Sequence, residues 1–456
     1  MRRTATTLLA LALAANATAA EAPTATTAQE IATEFASIAR SGELWPGYRP
    51  LATPLAVYDG EQTWLFRHPS PPEGFTAVDG SRPKAWAMPG RHPAVTANSS
   101  AEIGGRMTGT LLADGERAGH SATALAAVAL HEIFHVYQRQ NHPDWVADEG
   151  DLLRYPFEDA EQLAYRRLET RLLGWALEGE DEATTACRAA LALYYRNERF
   201  AEMDPAFAAY ERANELNEGL ASYVQIRARG ESGVEMPADG WPATALRDRF
   251  YTVGPALAFL LDRLRPGWAG ELEADDTRHL DGLLAEAAKA KAGEATCRID
   301  RQRTMALFVA AKREVGALQE ARQQRRSDFE QRPGRVVVVA AEGAPLWPQR
   351  FDPLNVEHVA GGLLHTRYVR LGNDAGAVQI VDEAGSDLEA LTEAAGEHPL
   401  FNGVQRVEIA GLEGAEVEEE GGEVTIRSPG LEFAFSGATV ERYGDVVMVR
   451  LERPTG

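Results

Sequence analysis

Hydrophobic positions follow three rhythms along this chain. Up to about residue 113, apolar residues come in short runs set among Pro, Gly and aromatic residues. Residues 54–58 and 62–66 are two such runs joined by Asp59-Gly60, a pair suited to the tight turn of a β-hairpin, so two paired strands are expected. Residues 107–113 read as a further strand. Ahead of them, residues 21–40 carry the spacing of a short amphipathic helix. The second rhythm is helical. Residues 121–141 are rich in helix formers, with Ser121 or Thr123 as N-cap and Pro143 as the stop. From 158 to 320 the apolar residues recur every three or four positions. Leu163, Leu168, Leu172 and Leu173 make one stripe, and Leu191, Leu193, Tyr194 and Phe200 another.

Pro333-Gly334 ends that pattern, and the third rhythm is that of strands. Residues 336–339, 368–371, 378–381, 424–426, 431–435 and 446–451 read as strands, Gly421-Gly422 as a turn, and 416–423 as an acidic loop or hairpin tip. The basic run Arg322-Gln323-Gln324-Arg325-Arg326 reads as a solvated helix end. The expected fold class is α+β. One domain covers 21–332, with a mixed strand-bearing part at 21–115 and a helical part at 116–332. A β-rich domain follows at 333–456.

Composition narrows the setting. Arg2 and Arg3, the apolar run at 8–15 and Ala17-Thr18-Ala19 have the order of a secretory signal peptide at 1–20, cleaved near Ala19 or Ala20. That run is too short to span a bilayer and no later one is longer, so the expectation is an exported protein without a membrane span, periplasmic or extracellular. A formal charge of −22 makes nucleic acid and anionic lipid poor partners. Cys187 and Cys297 are the only cysteines, and in an oxidising compartment they can form one disulfide. His358 and His365 stand isolated in the β-rich part and read as structural.

The candidate chemistry sits in the helix at 121–141. His131-Glu132-Ile133-Phe134-His135 is an H-E-x-x-H string, and positions i and i+4 share one helix face. Two imidazoles at that spacing can bind one zinc ion, and Glu132 beside them can take a proton from water. A catalytic zinc site needs a third protein ligand. The spacing H-E-x-x-H-x-x-G-x-x-H fails here, because Gln138 and Asn141 hold the Gly and His positions and His142 comes one residue late. A glutamate from a later helix is the other solution. The stretch 211–224, which carries Glu211, Glu215 and Glu218, is the best candidate, and Glu158 and Glu161 are reserves. Glu211, Glu215 and Glu218 also have the i, i+4, i+7 spacing of an acidic, solvated helix face.

Asn217-Glu218-Gly219-Leu220-Ala221-Ser222-Tyr223 resembles the second zinc motif, N-E-G-F-A-x-Y, of the aminopeptidase N type zinc aminopeptidases, members of the gluzincins, which also include thermolysin. Tyr251-Thr252-Val253-Gly254-Pro255 is similar to that family's Y-[ED]-K-G-A segment. The resemblance covers roughly residues 100–265. It implies a thermolysin-like catalytic domain, His131, His135 and Glu218 as zinc ligands, Glu132 as general base, Tyr251 as hydrogen-bond donor to the oxyanion, and a strand at 107–113 that binds substrate backbone at the sheet edge. The sequence departs from the pattern at three places. The stretch from His135 to Glu218 is longer than in the family, implying an inserted helical region. Thr108 replaces the glutamate that binds a substrate's free amino group, and Ser222 replaces the aspartate that orients a histidine in thermolysin-like enzymes.

The expected function is therefore an exported zinc metallopeptidase acting on a peptide or protein. The alternative is a weakly active or inactive protein of the same fold that binds or scaffolds through its C-terminal domain. An intact Glu132 favours the enzyme, since metal binding alone needs no base. Cleavage preference, endo- or exopeptidase action and oligomeric state stay open at this stage.

Overall fold

The computed structural model of the chain describes residues 26–381, 388–412 and 414–451. The proposed signal peptide lies outside the described residues. The architecture is α+β, with a large helical part ahead of a β-rich C-terminal region. Two compact units are distinguished, residues 1–136 and 137–456.

In the first unit, helix α1 (Ala28–Ser41) starts in a capping box, the Thr27 side chain accepting from the Glu30 backbone N–H while Glu30 reaches back to Thr27. Strands β1 (Leu55–Tyr58), β2 (Gln62–Phe66), β3 (Thr76–Ala77), β4 (Ala85–Pro89), β5 (Ser99–Ile103) and β6 (Arg106–Leu112) form one sheet in the order β3-β4-β2-β1-β6-β5. The expected hairpin is β1–β2, and Gly60 supplies its positive φ of 101°. Strand β6 runs parallel to β1 and antiparallel to β5. The sheet therefore ends at β5. The strand expected at the edge is an interior one, because residues 99–103, with three small side chains, pair outside it.

Helix α2 (Ala122–Asn141) carries the H-E-x-x-H string. Ser121 Oγ accepts the Ala124 N–H at 3.2 Å, so the first expected cap is the one used, and the helix ends before Pro143 as expected. Its buried face sits close to the sheet. A Cβ at Gly109 of β6 would lie 2.5 Å from Cγ1 of Ile133, so only glycine permits this approach. Trp45 and Tyr48 meet Phe134 edge-on, and Tyr48 Oη donates to the Leu130 carbonyl at 2.7 Å. These contacts fix the rotation of the helix that bears both histidines.

The second unit holds α3 (Ala160–Leu177), α4 (Glu182–Ala201), α5 (Pro205–Asn214), α6 (Leu220–Ala228), α7 (Leu246–Leu264), α8 (Trp268–Ala274), α9 (Leu280–Lys291) and α10 (Arg301–Glu330). The stripe Leu163, Leu168, Leu172, Leu173 is buried. The second expected stripe is corrected. Leu193 is buried as expected, but Tyr194 is exposed and Leu191 and Phe200 are half-buried; α4 also buries Ala189, Arg196 and Arg199, since arginines on that face find partners inside. Cys187 and Cys297 are bonded, tying α4 to the segment before α10.

From Arg335 to Leu451 the strands form a seven-stranded and a six-stranded sheet. Val337, Val339, Val407 and Ile409 of one share a core with Val369, Leu371, Ile380, Phe433 and Phe435 of the other. All six expected strands are present, and Gly421-Gly422 turns between one of them and a further strand, Glu416–Glu420, so the acidic stretch at 416–423 is one arm and the tip of a hairpin. His365 is buried and its pKa is lowered to about 4 by burial, while His358 is lowered to about 4 by burial and by Arg322. The expectation of a solvated basic run at 322–326 is overturned. Arg322 pairs with Glu158, Arg325 with Glu357 and Glu389, and Arg326 with Glu393, so these arginines fasten α10 to neighbouring elements of its own unit.

Candidate metal centre

Residues 205–228 run as one helix with a defect. Between α5 and α6, Glu215–Gly219 form a π turn, and the flanking Asn214 and Leu220 keep right-handed helical dihedrals. A π turn inserts one residue and so advances the helix phase by roughly 100°. That splits the three glutamates which sequence spacing puts on one face. Glu211 and Glu215 turn into the interior, and Glu218 is half-buried elsewhere.

His131 and His135 of α2 are buried, their Nε2 atoms 3.0 Å apart and their rings near-perpendicular. Donors bound to one tetrahedral zinc at about 2.1 Å lie about 3.4 Å from each other, so both nitrogens already converge on a point an ion could occupy. His131, His135 and Glu218 each offer one ligand atom, all within 4.8 Å of one another, a group that could hold a metal ion. Two imidazoles and one carboxylate are the donor set of catalytic zinc sites that keep a position for water. The residues fit a divalent ion of zinc's size and softness. Glu132 is half-buried on the neighbouring helix position.

Gln138, two turns beyond His131 on the same helix face, is almost fully buried. Its Nε2 donates to the carbonyls of Leu216 and Asn217, both at 2.9 Å. The π turn is also held from α7. A Cβ at Gly219 would lie 2.7 Å from Gly254 Cα, and one at Gly254 would lie 2.4 Å from Gly219 Cα. The glycines of the two motif strings thus meet backbone to backbone. Tyr251 stands one turn before Gly254 and is exposed. It lies inside α7, which continues helically through Pro255.

Behind the π turn is a cluster of buried charge that the sequence pattern hides. Arg196 donates to Glu169 and to both oxygens of Glu215 at 2.6–2.8 Å. Arg199 pairs with Glu169 and Glu211, and Arg249 with the same two carboxylates. All six side chains are buried. Burial would raise the Glu169 carboxyl, yet Arg196, Arg249 and Arg199 outweigh it and hold the pKa at about 2. Glu211 is likewise raised by burial and lowered further by Arg199 and Arg249, with a net decrease. Glu215 stays raised, because burial exceeds what Arg196 and Arg249 return. The expected solvated acidic face is therefore corrected for Glu211 and Glu215. The reserve ligands are placed as well: Glu158 pairs with Arg322, and Glu161 is exposed.

The sign of the pH effect follows. Glu169 and Glu211, whose pKa values are lower folded than unfolded, contribute stability that is full above about 4.5 and lost as pH falls toward 2. The slope is about 1.4 kcal/mol per pH unit for each. Glu215, shifted upward, loses its contribution as pH rises above 4.5 and adds little slope below it. Urea midpoints should thus fall steeply from pH 4.5 to 2.5; midpoints flat across that window would contradict the charged cluster.

His142, the histidine one position late for a ligand, has a structural place. Its Nδ1 meets Asp276 at 2.6 Å and its Nε2 meets Glu273 at 3.0 Å, while its ring stacks on Trp145. Thr108 is buried in β6, its hydroxyl donating to the Arg106 carbonyl. No family model, curated protein or solved structure matches this chain. Among the described residues, no helix is long and apolar enough to cross a membrane.

Proposed function

We propose that the chain is an exported zinc-dependent hydrolase of gluzincin type that cleaves peptide bonds. The observation that carries this reading is the convergence of His131, His135 and Glu218 beside Glu132. His131, His135 and Glu218 hold the ion. Zinc bound there supplies a Lewis acid for the scissile carbonyl and lowers the pKa of the attacking water. Glu132 takes that water's proton and later delivers it to the leaving amine. Tyr251 donates a hydrogen bond to the developing oxyanion. Strand β5, at the end of its sheet, offers backbone groups to an extended substrate. The Cys187–Cys297 bond and the leader-like N-terminus support an oxidising, extracytoplasmic setting.

The test is a peptide-library cleavage profile of the native protein, with and without a chelator. Chelator-sensitive cleavage supports the reading; no cleavage of any peptide shifts weight to the binding or scaffold alternative. Thr108, neutral and engaged within β6, gives no anion for a substrate ammonium group. An N-terminally acetylated peptide should accordingly be cut as fast as its free counterpart. A loss of about tenfold or more on acetylation, the size of one charge-assisted hydrogen bond, would mean that another carboxylate binds the amine.

A further inference from the structure

We infer that Gln138 is the positioning residue of this metal site, acting through Glu218; the inference rests on the zinc reading above. Two residues of α2 are proposed as ligands, at positions 131 and 135. Gln138 is the next residue on that face, at i+7 from the first and i+3 from the second. Its amide reaches the carbonyls of Leu216 and Asn217, the two residues that precede Glu218. These carbonyls belong to the π turn, where the regular i to i+4 bonding is replaced; the Asn217 carbonyl also accepts the Leu220 N–H, and the Gln138 amide adds a second hold on this backbone from outside its own helix. One buried side chain thus couples the backbone that carries the carboxylate ligand to the helix that carries both imidazoles. A carboxylate ligand must be held within a fraction of an ångström to bond an ion at about 2.1 Å, which a single long side chain cannot ensure alone.

Gln138 is buried and also fills space in the interior, so the coupling must be separated from simple core filling. Gln138→Met keeps the volume and removes the donor. Gln138→Glu keeps the shape and sets a carboxylate against two carbonyls, and serves if the first variant does not fold. Zinc affinity is measured by chelator competition for the wild type, Gln138→Met, Glu218→Ala and the double variant, each with a melting curve in excess chelator. The expected result is a zinc affinity about 10–100-fold weaker for Gln138→Met, as for other residues that orient a ligand. The double variant should then be no weaker than Glu218→Ala, because Gln138 has nothing left to position. The cobalt-substituted Gln138→Met protein should also show an altered visible absorption band. Equal affinity in Gln138→Met and the wild type, or losses that simply add in the double variant, would overturn the inference. A wild type that binds no zinc would instead overturn the zinc reading on which it stands.

Discussion

Glu132→Gln should keep its zinc and lose nearly all hydrolysis. The amide is the same size and sits at the same half-buried helix position, so neither α2 nor the ligands are disturbed. It cannot accept a proton, and a positioned general base contributes about 10²–10⁴-fold to rate. Single-turnover cleavage of one susceptible peptide, measured beside metal content, gives the answer. A variant that retains zinc and cleaves at the wild-type rate would remove Glu132 from the chemistry. A variant that loses zinc would assign it to holding the site.

The largest expected effect on stability comes from Arg196→Met. Arg196 is buried between Glu169 of α3 and Glu215, the first residue of the π turn, and donates to both. Methionine fills part of the space and leaves two buried carboxylates short of a partner. Breaking a buried ion pair from one side costs about 3–5 kcal/mol, because the abandoned charge has no water to return to. For a unit of this size that lowers the melting temperature by roughly 10 °C. Thermal unfolding at neutral pH measures it. A shift within a degree or two would show that the cluster rearranges around the loss and is not what holds α3, α4, α5 and α7 together.

The sequence made the helix that carries H-E-x-x-H legible because its signals are local. H-E-x-x-H fixes two donors by helix geometry alone, Ser121 marks its start and Pro143 its stop. The β1–β2 hairpin was legible for the same reason, with Asp59-Gly60 dictating the turn. The buried charge cluster was not. Glu211 and Glu215 at helical spacing have the pattern of a solvated face, and only tertiary structure brings arginines from α4 and α7 to them. The π turn is equally silent, since an inserted residue leaves no mark on composition, yet it separates Glu218 from the other two glutamates. The arginines at 322, 325 and 326 were misread because their partners lie 30 or more residues away or on other elements. Strands such as Trp347–Phe351 and Glu389–Ala394 escaped because Pro348 interrupts one and Glu, Thr and Ala dilute the other.

The central claim is that His131, His135 and Glu218 form one zinc site, and metal content together with thermal shift tests it most directly. The native protein should carry about one zinc per chain, and removing it should lower the melting temperature, which added zinc then restores through its preference for the folded state. His135→Ala and Glu218→Ala should each lose that zinc and that shift. A native protein without zinc, whose melting temperature is unchanged by adding it, would contradict the account.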